Sequence, residues 1–600
     1  MPFFFIGVTM ISMKKKLLVL LSIPALLLTG CTFINNIAIT KEVSVYDLDN
    51  KELLREYQTG NIESAKVGTL NACFIRGEKY ITYLTLEQYA SLYDCHLKSG
   101  LKSEVSSLGS TYTWIIHNGE SLYFRSIIDT SKKTVKVEGS IDYALKQEDD
   151  PQDLTALNFG LQIDSDGQYL SSKNYELYSF KETDTRRFKY KGQTYFPLGF
   201  LDTTYSASSG MYFSYNYVGI YSTHDADAFT ERGFYDANGS WTTYDFQMGE
   251  NVDDLFMPSY LAEYNAKLFV YMMDNFYGLK EYYGIESMTS YFKKLGYYNN
   301  LLSNQASVRE KAYSSCLNSF DDNHTALVQT NGVWGSYTPT DRGPGIIARS
   351  NLYSTLCEYR YASYEEVGKY PFEDIVYSND GKTAMFAFDN FFFGTSEEVF
   401  NTDGTIKDTA HYYDHYISLI ETLNAIKEKG TVQNVILDIS TNGGGVVGVM
   451  MKLLSLLSKN NSSDIYFYNC VSTELDKYTS HVDVNFDGVY YNNETFGNDF
   501  NFFILTSDCS FSCGNAFPCY AQAQNLAKII GQKSGGGECA VDIHFLPNTE
   551  YVYHSSNLHL GYYYNDARGF VGFEDGATPD YAIEINPDFY DINRLSALIS

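Results

Sequence analysis

Two stretches of this chain place residue types that can act together on a carbonyl group. In one, Phe502-Phe503-Ile504-Leu505 reads as a strand that runs into Thr506-Ser507-Asp508-Cys509-Ser510-Phe511-Ser512-Cys513-Gly514-Asn515-Ala516-Phe517. A Ser- and Cys-rich turn is thus delivered to the start of a helix, where the dipole and the unpaired N–H groups stabilise an alkoxide or a tetrahedral oxyanion. Serine is also a favoured N-cap, so a cluster that merely caps the helix is the plain alternative. In the other stretch, the buried-type strand Val435-Ile436-Leu437-Asp438-Ile439 leads through Ser440-Thr441-Asn442 into Gly443-Gly444-Gly445. Glycines there let backbone N–H groups converge on one point, as an anion or a developing oxyanion requires. Taken singly, such a turn is more often structural.

Taken together, the two stretches resemble the S41 family of serine peptidases, whose signature is a strand ending in Asp-x-Arg-x-Asn-Gly-Gly followed by a strand and a Ser-rich turn before a helix. The resemblance covers roughly residues 324–580 and implies a crotonase/ClpP-like α/β core. Position by position it makes Ser512 the nucleophile and assigns the oxyanion donors to the Cys513 N–H and the Gly443-Gly444 turn. Two positions depart from the family. Ser440 stands where Arg is usual, and Gly537, within Ser534-Gly535-Gly536-Gly537, stands where tail-specific members carry a catalytic Lys. The sequence is therefore similar to the tricorn-like branch, whose base is a His. His324, in Asp322-Asn323-His324-Thr325-Ala326-Leu327, matches that position. The segment Phe573-Glu574-Asp575-Gly576-Ala577-Thr578-Pro579-Asp580 resembles the C-terminal stretch near which this branch places its acid. Glu574 is the first choice, with Asp575 as the alternative. The resemblance thus implies a peptidase acting through an acyl-enzyme on peptide or protein, with a Ser-His-acid triad and no cofactor. The competing reading is a catalytically inactive S41-like lipoprotein that binds peptide or glycan.

The elements that must hold these residues alternate strand and helix: Ala384–Phe388, Tyr412–Lys427, Val435–Ile439, Val446–Leu457, Phe502–Leu505 and Ala516–Ile530. Such alternation predicts an α/β core over residues 336–600. Pro518 is compatible with the last helix only near its first turn. The segment between His324 and this core is too short for a PDZ module. Upstream, Tyr260, Leu261, Tyr264, Leu268, Phe269 and Met272 recur at helical spacing, predicting a helical segment over 251–335. Residues 32–250 alternate short Tyr/Phe/Val/Ile runs with Gly, Asn, Asp and Ser clusters, predicting a separate β-rich N-terminal domain. Within it Gly77–Tyr89 and Gly192–Tyr205 echo one another as turn, strand and helix start. The echo resembles copper-amine-oxidase N-terminal-like repeats, which implies a binding or spacer role without copper.

A formal charge of -29 leaves no basic field to neutralise phosphates, which argues against a nucleic-acid partner. From Met13 the chain reads Lys14-Lys15-Lys16, then an apolar run from Leu17 to Leu28, then Thr29-Gly30-Cys31. That is the layout of a secretory signal, and Leu28-Thr29-Gly30-Cys31 looks like a bacterial lipobox. Residues 1–30 are then a signal peptide, with residues 1–12 an upstream extension. Cys31 becomes the lipidated residue that fixes the protein to the extracytoplasmic face of the cell membrane; the apolar run is shorter than the ~20 residues of a spanning helix. Setting Cys31 aside, the nine remaining cysteines are odd in number and include no CxxC pair, so neither a full disulfide set nor a zinc cage is indicated. Asp483-x-Asn485-x-Asp487-Gly488 with Glu494 has EF-hand spacing, but its flanks read as strands, against calcium. His411 and His415 lie four apart without the Glu of a zincin and read as an ordinary helix face.

Overall fold

The architecture is taken from a computed structural model that describes residues 38–47, 66–146, 155–170, 173–183, 185–215, 219–223, 233–235, 241–243, 257–329, 331–332, 335–336, 342–546 and 552–600. The signal segment and Cys31 lie outside the described residues.

The C-terminal half is α/β, as the alternation predicts. Helix α1 (Pro344–Glu366) starts with Pro at its first position, where a missing N–H costs nothing. Strands β1 (Thr383–Ala387) and β2 (Asn434–Asp438) follow, then helix α2 (Val447–Leu457), strand β3 (Asn501–Thr506), helix α3 (Cys513–Ala523) and strand β4 (Ala527–Gly531). The four strands pair in parallel and in sequence order, with Ala387 beside Asp438, Asp438 beside Leu505 and Leu505 beside Ile530. Short strands Val376–Tyr377 and Tyr581–Ala582 flank them to complete six. The strands are almost wholly buried, which suits a sheet covered by helices on its faces. Because the strands are parallel, the turns after β2 and β3 emerge at the same edge of the sheet, and this brings the two glycine- and serine-bearing turns together.

The N-terminal half is β-rich. A seven-stranded sheet and a five-stranded meander pack around Trp114, Tyr89, Tyr93 and Tyr205. The echoed segments face each other: Tyr83–Leu84 pairs antiparallel with Phe196–Pro197, and each strand is followed by a helix, Leu86–Ser91 or Leu198–Ser209. One continuous apolar core joins Trp114 and Tyr205 to Phe269 and Tyr313 of the helical segment and to Tyr553 and Leu560 near the C-terminus. Strand Leu161–Leu170 leaves the N-terminal region to pair with Glu474–Val482, in a second sheet that also contains Val552–Asn565. Just before it, the Ala156 carbonyl accepts a 3.1 Å hydrogen bond from the buried Lys452 ammonium of α2. Composition shifts in the sequence mark changes of secondary structure, and they do not reveal that long-range strand pairing closes over the boundary.

Candidate active site

The turn after β3 is stitched to the turn after β2. The Phe511 N–H donates to the Asn442 carbonyl (3.0 Å), the Ser510 hydroxyl to the Ile439 carbonyl (2.8 Å) and the Ser507 hydroxyl to the Ser440 carbonyl. The serines surrounding Ser512 are therefore structural pegs. Ser512 differs. It is the N-cap of α3 with φ 57° and ψ -125°, a backbone conformation that L-residues avoid, and its side chain makes no capping bond. A simple capping serine would sit in extended backbone and accept from the helix, so the capping alternative does not describe this residue. Strain held at a strand-to-helix turn is the usual way to push a nucleophile out of the backbone envelope. Pro518 lies in the second turn of α3, one turn later than its tolerance predicts, and removes the helical bond to the Gly514 carbonyl.

Gly444 is the residue that lets Ser512 approach. Its φ is +112°, and a Cβ there would stand 2.7 Å from Ser512 Cβ and 3.1 Å from Cys513 N. Its N–H donates to Asn442 Oδ1 at 2.9 Å. Of the three predicted oxyanion donors, Gly443 and Cys513 are the two whose N–H groups make no hydrogen bond among the described residues, while Gly444 contributes space.

His324 lies in the turn between helix Ala306–Asn318 and strand Ala326–Gln329. The buried Asp322 carboxylate holds this turn: it accepts from the His324 N–H (2.9 Å) and from the hydroxyls of Thr325 (2.7 Å), Ser556 (2.8 Å) and Tyr277 (3.3 Å). The imidazole meets the ring of Phe511, the neighbour of Ser512, edge-on with centroids 4.7 Å apart. His324, Phe511, Gly443 and Thr441 line a single cleft of about 1080 Å³.

Glu574 comes from the C-terminal side to the glycine segment that holds the Ser512 loop. Its Oε2 accepts from the N–H groups of Gly537 (2.9 Å) and Glu538 (2.8 Å), while the Gly536 carbonyl accepts from the Ser512 N–H (3.0 Å). Burial pushes the Glu574 carboxyl up to about 7, against the lowering effect of those donors. Its neighbour Glu538 is pushed up to about 8 by burial and then by the charge of Glu574. Asp575 is exposed and accepts from the Tyr282 hydroxyl at 3.1 Å, so Glu574 is the acid turned toward the Ser512 loop. Gly537, at φ +83°, explains the missing lysine: a Cβ there would stand 2.7 Å from the Phe511 ring and 3.0 Å from Ser512 N.

Arg360, which no motif in the sequence singles out, supplies what Ser440 lacks. It comes from α1, is fully buried, and its guanidinium pairs with Asp438 Oδ2 through Nε (2.9 Å) and with Asp389 Oδ1 through Nη1 (3.0 Å). It also donates to the Ser440 hydroxyl at 3.1 Å, which meets the Tyr590 hydroxyl at 2.8 Å. The signal was present in part: a buried strand ending in Asp438 with a Ser two residues later needs a cation from elsewhere.

Neither secondary motif builds a metal site among the described residues. Asp483 spends both carboxylate oxygens on its own loop, accepting from the Asp487 (3.1 Å) and Gly488 (2.7 Å) N–H groups. His415 begins the helix His415–Glu428, while His411 lies outside it beside Glu421 (3.1 Å), so the two do not share a helix face as their spacing predicts.

No curated protein matches this chain. Among solved structures, the chain is similar to the photosystem II D1 C-terminal processing protease at 13% identity and TM-score 0.26, over 37% of this chain and 48% of that one. The chain thus spans about half the length of that protein. It is similar to mature CPAF complexed with lactacystin at 10% identity and TM-score 0.36, over 57% and 97%. It is also similar to a lipoprotein from Streptococcus agalactiae at 12% identity and TM-score 0.33, over 58% and 100%. Residues 406–583, which carry the glycine turn after β2, the serine-rich turn after β3 and Glu574, match the model of Peptidase family S41.

Proposed function

We propose that this chain is a lipid-anchored, extracytoplasmic serine peptidase of the tricorn-like type in which Ser512, His324 and Glu574 act as the triad. His324 takes the proton of Ser512 as its oxygen attacks the peptide carbonyl. The N–H groups of Gly443 and Cys513 hold the resulting oxyanion, and the protonated imidazole then gives its proton to the leaving amine. Water, deprotonated in turn by His324, releases the acyl group from Ser512. Glu574 in its ionised form stabilises the imidazolium. Cys31, after signal cleavage, carries the lipid, and the substrate is a peptide or protein at the cell surface.

The observation that carries this reading is the backbone of Ser512: strained, at a helix N-terminus, hydroxyl unspent, and backed by a glycine whose Cβ would collide with it. Incubating the full chain with a quenched fluorescent peptide library tests it. Cleavage that disappears in Ser512→Ala is expected; cleavage surviving in that variant, or none in the wild type, would leave the core as a binding module. Metabolic labelling with an alkyne fatty acid tests the anchor, and label persisting in Cys31→Ala would refute it.

A further inference from the structure

The cleft beside Ser512 contains one carboxylate that the proposed mechanism does not use. Asp389 follows β1 at the edge where the catalytic turns emerge, and the segment it opens runs along the glycine turn: the Phe391 N–H donates to the Gly444 carbonyl at 2.9 Å. Its carboxylate accepts Arg360 Nη1 on both oxygens (3.0 and 3.1 Å) and the Thr441 hydroxyl on Oδ1. Asp389 lines the cleft with its side chain 24% exposed, whereas Arg360 and Asp438 are both at 0%.

The charge count of this group is uneven. Asp438 alone neutralises Arg360, which it engages through Nε and Nη2. Asp389 is a second carboxylate on the same guanidinium, so the trio keeps one surplus negative charge, and it is the cleft-facing member that carries it. Burial raises the Asp389 carboxyl, against the lowering effect of Arg360 and the Thr441 hydroxyl. A partly desolvated, under-compensated carboxylate gains most from a cation that arrives with the ligand. Helix α1 supplies the adjoining wall from positions three and four apart: Ser350, Tyr353 and Ser354 line the same cleft. Their hydroxyls can accept from an ammonium or a guanidinium. The net charge of -29 draws cationic peptides toward the surface as a whole.

We propose that Asp389 forms a subsite of the catalytic cleft for a cationic side chain of the peptide, a lysine or an arginine, next to the oxyanion turn. This rests on the reading of the cleft as a peptidase site, yet it can be tested without turnover. Arg349, on the opposite side of the question, is already committed: it donates to Asp508 Oδ2 (3.2 Å) and the Gly535 carbonyl (2.9 Å) and lies 4.9 Å over the Phe511 ring. Arg342 is the other cation lining the cleft, and a site governed by it would select acidic peptides instead.

The test is fluorescence anisotropy on the full chain carrying Ser512→Ala, with degenerate hexapeptide pools that contain one lysine, one norleucine or one glutamate. Tighter binding of the lysine pool than of the norleucine pool, by about tenfold or more, is expected. That ratio should fall to within threefold in Ser512→Ala/Asp389→Asn and persist in Ser512→Ala/Asp389→Glu. Equal binding of the lysine and norleucine pools, preference for the glutamate pool, or a lysine preference that survives Asp389→Asn would overturn the subsite. If Asp389→Asn does not fold, the pool ratio in Ser512→Ala and its retention in the Glu variant still decide. Absence of cleavage by the wild type with a lysine preference in binding would count against the peptidase reading and leave the subsite standing.

Discussion

Replacing Gly444 with alanine puts one methyl group into the contact on which Ser512 depends. Its Cβ would stand 2.7 Å from Ser512 Cβ, closer than real Cβ atoms come, and 3.0 Å from the Phe511 carbonyl oxygen and 3.1 Å from Cys513 N, both tight contacts. Ordinary contact begins near 3.4 Å, so the nucleophile or the turn must yield by roughly 0.7 Å. Alanine at φ +112° adds about 1–3 kcal/mol of backbone strain. A displacement on the order of 1 Å at a reacting atom costs ~100-fold in rate, because near-attack geometry is lost before binding is. Gly444→Ala should therefore lower kcat about 100-fold with KM changed less than threefold, alongside a modest fall in Tm. Gly443→Ala is the matched control: nothing stands within 4 Å of its Cβ, and alanine keeps the backbone N–H. Steady-state kinetics on one peptide with both variants, and thermal unfolding of each, make the comparison. A Gly444→Ala enzyme that folds and keeps kcat within threefold of the wild type would refute the argument that this glycine exists to admit Ser512.

Other consequences follow from the charges. Glu574 stands near 7, so kcat/KM should rise with pH through about 7 as its carboxylate ionises; Glu574→Gln should flatten that rise and lower the rate ~100-fold or more, and a profile flat from pH 5 to 8 in the wild type would contradict its role. Stability runs the other way: Glu538 and Glu574 both have folded-state values raised above 4.5, so their contribution is complete below about 4.5 and is lost as pH rises through about 7 to 8, measurable as a falling Tm. Arg360→Ala leaves Asp438 buried without its partner and should destabilise by about 3–5 kcal/mol in denaturant titration. Ser440→Arg in that background should recover part of the loss, and a change under 1 kcal/mol in Arg360→Ala would show the pair is dispensable.

The legible part of this protein is the part written locally. Apolar runs bounded by turn residues disclose β2, β3, α2 and α3, because each is a short element buried along nearly its whole length. The turn sequences disclose Ser512, Gly443 and Gly444 because a strained strand-to-helix turn restricts residue types over a few adjacent positions. What stayed hidden is long-range. Arg360 lies 78 residues from Asp438, on a helix with no marked apolar face, and no local spacing could join them. The shared core of Trp114, Phe269 and Tyr553 and the pairing of Leu161–Leu170 with Glu474–Val482 arise only after the chain closes on itself. Gly444 shows the limit within a motif: its glycine was visible, but its use as space beside Ser512, with its N–H given to Asn442, depends on where the neighbouring turn lands.

The central claim is that Ser512 is the nucleophile and His324 its base, and covalent labelling reads both at once. Full-length protein treated with a fluorophosphonate, digested and mapped by mass spectrometry should carry one adduct, on Ser512, formed at least 100-fold more slowly in His324→Ala and absent in Ser512→Ala. An adduct on another serine, or labelling of Ser512 at an unchanged rate without His324, would contradict the account.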